Sequence, residues 1–260
     1  MKNSGPSILD LTPANVAEYG VCGYKDVKKH LELRRKIDWF TKYYPLGLRI
    51  KAIITDTGEY QGMLEYIPGE YAHRPVNAAG YMFIHCIFVG FKSKYKGLGY
   101  ATALLDECIR EAKMAGMKGV SVVTRNGSFM ARKDIFLKEG FTQVDKAKPD
   151  FELFVLKFAE EYENPSFKEL STKKYTKGLT ILRSPQCPYS VKNVEAIMQT
   201  ASEMNLTPTL VEVDDHLSAQ NSPCAFGTFC IVGKGKILSH HPISNTRFEN
   251  IINKTYAIKR

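Results

Sequence analysis

The stretch from Gly80 to Gly116 limits what this chain can fold into more than any other. It opens with Tyr81-Met82-Phe83-Ile84-His85-Cys86-Ile87-Phe88-Val89, an apolar run rich in β-branched and aromatic residues. The run is too short for a helix of that hydrophobicity, so it is expected to be a buried strand. From Tyr100 the period changes. Ala101, Leu104, Leu105, Cys108, Ile109 and Ala112 recur three and four apart with charged residues between them, and Gly116 closes the run as a helix C-cap would. A strand feeding a helix with one buried face is the centre of an α/β (α+β) unit.

Between strand and helix lies Lys94-Tyr95-Lys96-Gly97-Leu98-Gly99. Two glycines one residue apart let the backbone turn its N–H groups toward a common point, and the positive end of the helix dipole faces the same point. Such a loop suits a phosphate. Tight strand-to-helix turns also use glycine for steric reasons alone, so the loop by itself leaves both readings open. His85, the imidazole of this strand, is either a core histidine bonded to a neighbouring strand or a group that handles protons near neutral pH.

The order of these parts resembles the acyl-CoA-binding signature of the GNAT superfamily of N-acyltransferases, Gln/Arg-x-x-Gly-x-Gly/Ala after a strand ending in valine. Here Val89 ends the strand and Lys94-x-x-Gly97-x-Gly99 follows, with lysine in the Gln/Arg place. The resemblance implies a GNAT-like mixed sheet with flanking helices and acetyl-CoA as co-substrate, with no metal. It sets the phosphates on Lys94, Tyr95, Lys96, Gly97, Leu98, Gly99 and Tyr100, and the thioester near Ile87, Phe88 and Val89. In arylalkylamine-type members a histidine lies four residues before that valine. His85 matches the place and is the expected general base, with the Val89 N–H polarising the thioester carbonyl. Glu65 and Glu70 are the alternative bases. A second GNAT signature, a helix ending in Gly-Phe, is similar to Ser128 through Gly140-Phe141. Phe136 stands where a tyrosine commonly protonates the departing thiolate. Phe129 takes the place of an asparagine usual at the start of that helix, with Asn126 nearby and expected to touch the cofactor.

The composition suits ordinary globular domains: of 260 residues, 44% are hydrophobic and 24% charged, and no apolar stretch approaches bilayer length, so no membrane partner is expected. The net charge of +9 is spread along the chain rather than gathered in a run with interleaved aromatics. That argues against a nucleic-acid partner and suits an anionic substrate such as coenzyme A. Met1-Lys2-Asn3-Ser4-Gly5-Pro6 leads into no apolar core or cleavage site, and the cysteines are scattered, so reduced thiols and a cytoplasmic location are expected.

Along the chain, residues 8–11 read as a strand, Thr12-Pro13 as a helix start, 24–44 as a long amphipathic helix, and 48–54 with 61–68 as a hairpin turning at Asp56-Thr57-Gly58. Residues 119–124 read as a buried strand, 128–138 as a helix and 151–156 as a final strand. Polar segments then mark a boundary, giving an acyl-CoA-binding domain over 1–160, a linker over 161–178 and a second domain over 179–260. In that domain Cys187-Pro188-Tyr189-Ser190, between a strand and a helix, resembles the glutaredoxin active-site turn with serine replacing the resolving cysteine. A small thioredoxin-like domain is implied, with Cys187 a thiolate stabilised at a helix N-terminus. Gly227 stands where redox members carry a cis-proline. The two domains in this order resemble acetyltransferases with a YoaP-like C-terminal domain. The expected function is direct acetyl transfer from acetyl-CoA to an amine, on a small molecule or a peptide. The alternatives are a non-catalytic acyl-CoA sensor and a thiol enzyme acting through Cys187.

Overall fold

The computed structural model describes residues 6–90, 93–95 and 97–256. The chain divides into two units. The first holds the residues up to Ala72 and Val76–Phe167, the second His73–Pro75 and the residues from Lys168 onward.

In the first unit, β1 (Ser7–Leu11), α1 (Val16–Tyr19), α2 (Leu31–Tyr43), β2 (Arg49–Ile54), β3 (Tyr60–Pro68), β4 (Val76–Asn77) and β5 (Met82–Val89) lead to α3 (Tyr100–Met114). After it come β6 (Gly119–Arg125), α4 (Asp134–Lys138), β7 (Thr142–Ala147), β8 (Phe151–Lys157) and β9 (Ser166–Phe167). The main sheet has the order β1-β2-β3-β5-β6-β8-β7. Its neighbours are antiparallel except β5 and β6, and β4 pairs with β9. This is the mixed sheet with flanking helices that the sequence led us to expect.

Alternation along the strands sends side chains to two cores. Met63 and Ile67 of β3 pack with Leu33, Trp39, Phe40 and Tyr43 of α2. Leu64 and Tyr66, one step over, pack with Leu104, Leu105, Cys108 and Ala112 of α3. Each large apolar side chain buried this way contributes about 1.5–3 kcal/mol. A polar clamp fixes α3 on its face: the Tyr66 hydroxyl donates to Glu111 Oε2 at 2.6 Å, and Lys51 pairs with Glu111 and Asp10. Burial opposes charge on both Lys51 and Glu111. Their mutual bonds, with those of Asp10 and Tyr66, more than offset this, so the lysine titrates above and the glutamate below its ordinary range.

Three expectations change. The helix expected over 24–44 begins only at Leu31, because the Asp26 carboxylate accepts the N–H groups of Lys28 and Lys29 at 3.1 and 3.3 Å. A side chain that bonds its own backbone holds a turn against the helix. The helix expected over 128–138 shrinks to α4, since Phe129 lies at φ +68°, a left-handed value no helix continues. β7 went unread because Thr142, Gln143, Asp145 and Lys146 give an edge strand little apolar signal.

In the second unit β10 (Leu179–Arg183), α5 (Pro188–Glu203), β11 (Thr209–Glu212), α6 (His216–Gln220), β12 (Phe229–Gly233), β13 (Lys236–Ser239) and α7 (Asn245–Tyr256) follow in turn. The sheet order is β11-β10-β12-β13, with β10 parallel to β11 and antiparallel to β12. α6 was not expected; its start is set by Asp215, whose carboxylate caps the Ser218 N–H at 2.7 Å. Gly227 lies at φ +76°, and a Cβ there would sit 2.6 Å from the His73 carbonyl oxygen, so no other residue fits. No helix among the described residues is long and apolar enough to cross a membrane.

Candidate active site

The parallel pair at the middle of the first unit is open at one end. β5 and β6 pair only from Met82 opposite Val120 to Ile84 opposite Val122, yet β5 runs on to Val89 and β6 to Arg125. Past Ile84 the two strands part. On its other side β5 stays joined to β3, where the Gly90 N–H donates to the Gln61 carbonyl at 2.8 Å. Antiparallel bonds alternate, so Val89, one residue back and opposite Gly62, turns its N–H away from β3 toward the gap.

The glycine loop lies at that same end. Gly97 and Gly99 sit at φ +73° and +79°, and Gly99 is the residue that starts α3. No backbone acceptor among the described residues takes the N–H of Gly97, Leu98 or Gly99. A Cβ at either glycine would meet nothing within 4 Å, so the loop faces open space. That space is a cleft of about 520 Å³, and it gathers Ile87, Phe88, Val89, Tyr95, Gly97, Leu98, Gly99 and Tyr100 on one wall. The opposite wall comes from α4 and the residues before it, among them Ala131, Ile135 and Lys138. The apolar strand end suits a pantetheine-like arm, and the N–H groups of the glycine loop with the helix dipole suit its phosphates. Lys96 and the side chain of Lys94 lie outside the described residues.

Beside the gap, His85 is the extra residue of a β-bulge: Glu65 pairs with Cys86 and Tyr66 with Ile84, leaving His85 between. A bulge re-aims a side chain. The imidazole turns to the α2 side of the sheet, where Nδ1 lies 3.2 Å from Glu65 Oε1, and Glu65 Oε2 accepts from the Lys36 ammonium. All three side chains have no solvent exposure. Trp39 covers them, its ring 4.2 Å from Lys36 Nζ and 6.1 Å from the imidazole. Burial by itself would raise the Glu65 pKa. The Lys36 charge and the bonds from His85 and Lys36 overcome it and hold the carboxyl well below its ordinary range.

Lys36 was missed from the sequence, although a signal existed. It falls three residues after Leu33 and four before Phe40, on the face of α2 that buries Leu33, Trp39, Phe40 and Tyr43. A lysine there needs a buried anion. Replacing Lys36 with methionine strands the Glu65 charge and should cost about 3–5 kcal/mol, and adding Glu65→Gln should recover much of it. Urea unfolding of both variants checks this; a single variant as stable as the parent refutes it. The pH dependence follows in sign. Because the folded carboxyl titrates lower than the unfolded one, the pair contributes fully above about pH 4.3 and is lost as pH falls through the lowered value.

The remaining expected residues lie elsewhere. Asn126 is exposed and lines a separate cleft of about 480 Å³. Phe136 is fully buried, edge-on to Phe141 at 5.4 Å, and its ring has no proton to give. Glu70 sits in a short turn, Gly69–Tyr71. In the second unit Cys187 is the half-buried residue before α5, its carbonyl accepting the N–H groups of Ser190 and Val191 at 3.1 and 3.3 Å.

Residues 209–250 match a family model described as YoaP-like. Over 257 residues the chain is 28% identical to the uncharacterized N-acetyltransferase YoaP of Bacillus subtilis (strain 168), covering 94% of this chain and 98% of that protein. Among solved structures it is similar to the PaiA N-acetyltransferase of Thermoplasma acidophilum in complex with coenzyme A, at 15% identity, 58% and 99% coverage and a TM-score of 0.42. It is also similar to the GNAT family N-acetyltransferase YhbS of Escherichia coli in complex with CoA, at 13% identity, 64% and 91% coverage and a TM-score of 0.39.

Proposed function

We propose that this chain is an acyl-CoA N-acyltransferase of the GNAT type that moves an acetyl group from acetyl-CoA directly to an amine. One observation carries the reading: the parting of β5 from β6 opens onto the same cleft as the glycine loop. The Bacillus subtilis relative, alike over nearly the whole length, is named an N-acetyltransferase and supports it.

Acetyl-CoA supplies the activated acyl group. The loop at Gly97 to Tyr100 holds its phosphates, and Ile87 to Val89 lie along its arm, so that the Val89 N–H meets the charge developing on the thioester oxygen. His85 takes the proton of the attacking amine. Nδ1 lies 3.2 Å from the Glu65 carboxylate, so Nε2 is the atom that takes the proton, and the carboxylate stabilises the imidazolium that forms. A second reading, a non-catalytic acyl-CoA sensor, is favoured by Phe136, which cannot protonate a leaving thiolate. In the second unit, the strand order and the placement of Cys187 before α5 support a thioredoxin-like domain. Ser190, beside that cysteine, cannot serve as a resolving thiol. Free thiols at all six cysteines fit the cytoplasm.

One experiment separates these readings. Calorimetry should show acetyl-CoA binding, and incubation with a panel of primary amines should release free coenzyme A and N-acetyl product. Binding without transfer to any amine supports the sensor and overturns the enzyme. The Cys187→Ser variant should transfer at the parent rate; loss of transfer would put the thiol in the reaction.

A further inference from the structure

We infer that the cleft at the end of β6 is the acceptor subsite and that it selects amines carrying a carboxylate. The inference rests on the acyltransferase reading and adds the substrate class. Because β5 and β6 are parallel, Arg125 at the end of β6 lies at the same edge of the sheet as Val89 at the end of β5. The two clefts adjoin: Arg132 and Asp134 line both. A molecule in the second cleft therefore sits beside the cleft that takes the acyl donor.

The charges of this second cleft do not balance. Its three acids are taken: Asp150 by Arg125 Nε at 2.6 Å, Glu152 by Lys133 at 3.0 Å and Asp134 by Arg132 at 3.0 Å. Lys146 and Lys148 also line it, and neither has an ion-pair partner among the described residues. Arg125 has a donor left over as well. Its side chain is 14% exposed and lies over the Phe151 ring at 5.0 Å, while Nη1 is buried with no hydrogen-bond partner among the described residues. A carboxylate is the acceptor whose charge and geometry suit the part of the guanidinium that does face the cleft. Two unpaired ammonium groups at the rim add attraction of the same sign. A neutral acceptor would leave this excess of positive charge uncompensated, and a cationic one would meet like charge.

The test compares 4-aminobutyrate with its amide, with 1,4-diaminobutane and with phosphoethanolamine as acceptors for the full chain. kcat/KM for 4-aminobutyrate should exceed that for the amide and the diamine by about tenfold or more, the ratio expected when a charge-assisted contact is gained. That preference should fall with added salt and shrink toward unity in Lys146→Gln/Lys148→Gln. Phosphoethanolamine outpacing 4-aminobutyrate would overturn the carboxylate assignment, as would equal rates for the anionic, neutral and cationic amines. Titration with succinate, which has no amine, separates this failure from that of the enzyme reading. Succinate binding that the double variant loses upholds the anion subsite even if no amine is acetylated. Absent or unaltered succinate binding overturns it.

Discussion

Replacing Gly99 with valine is expected to lower acetyl-CoA affinity at least a hundredfold in calorimetry while leaving the protein folded. Gly99 starts α3 at φ +79°, where a β-branched residue is strained by about 1–2 kcal/mol or more. The chain can relieve that strain only by moving φ, and moving φ re-aims the N–H groups that the loop turns to the cleft. The added side chain also occupies the open space in front of them. Both effects strike the bound phosphates, each held by charge-assisted hydrogen bonds of about 1.5–3 kcal/mol, so losing two removes a hundredfold or more. Gly97→Val, at φ +73°, should act alike. Gly58 is the control. It has φ +75° and equally open surroundings, but it lies in the turn between β2 and β3. Valine there carries the same strain and should leave affinity unchanged. If Gly99→Val binds as well as Gly58→Val, the cradle does not hold the cofactor.

The strand, the glycine loop and the helix were legible because each is local. A run of β-branched and aromatic residues, two glycines and a helical period can be read from the Gly80 to Gly116 stretch without knowing what packs on it. His85 was legible as a position, four residues before Val89, but its surroundings were not. The bulge that leaves it between Cys86 and Ile84 is a matter of register between β3 and β5, and nothing in either strand alone announces a shifted register. Glu65 was read as a rival base when its place is beside the histidine. Lys36 went unread because α2 is rich in lysine and arginine throughout, and a pattern count treats one more cation as solvated. The parting of β5 from β6 appears in the pairing of the strands; no residue spacing encodes it. The second cleft joins Arg125 to Lys146 and Lys148 through β8, which lies between β6 and β7 in the sheet. Such a meeting across strands is outside the reach of a pattern read along the chain.

His85→Gln is expected to lower kcat by about two orders of magnitude or more, with little change in acetyl-CoA affinity, since a positioned base contributes roughly a hundred- to ten-thousandfold. Glutamine fills similar space and can still donate to Glu65, so the buried arrangement with Lys36 persists and the loss reports the missing proton acceptor. The acid limb of the pH–rate profile, which belongs to the base, should vanish with it. Glu65→Gln makes the sharper test, because a residue that only fills the core would leave the profile in place. The carboxylate lies 3.2 Å from the imidazole and favours its charged form. Removing that charge makes the imidazole harder to protonate, so the acid limb should move to lower pH. The Glu65→Gln rate should fall less than in His85→Gln, since the imidazole remains. If His85→Gln keeps full activity and neither variant moves the acid limb, the histidine is a core residue bonded to its neighbour.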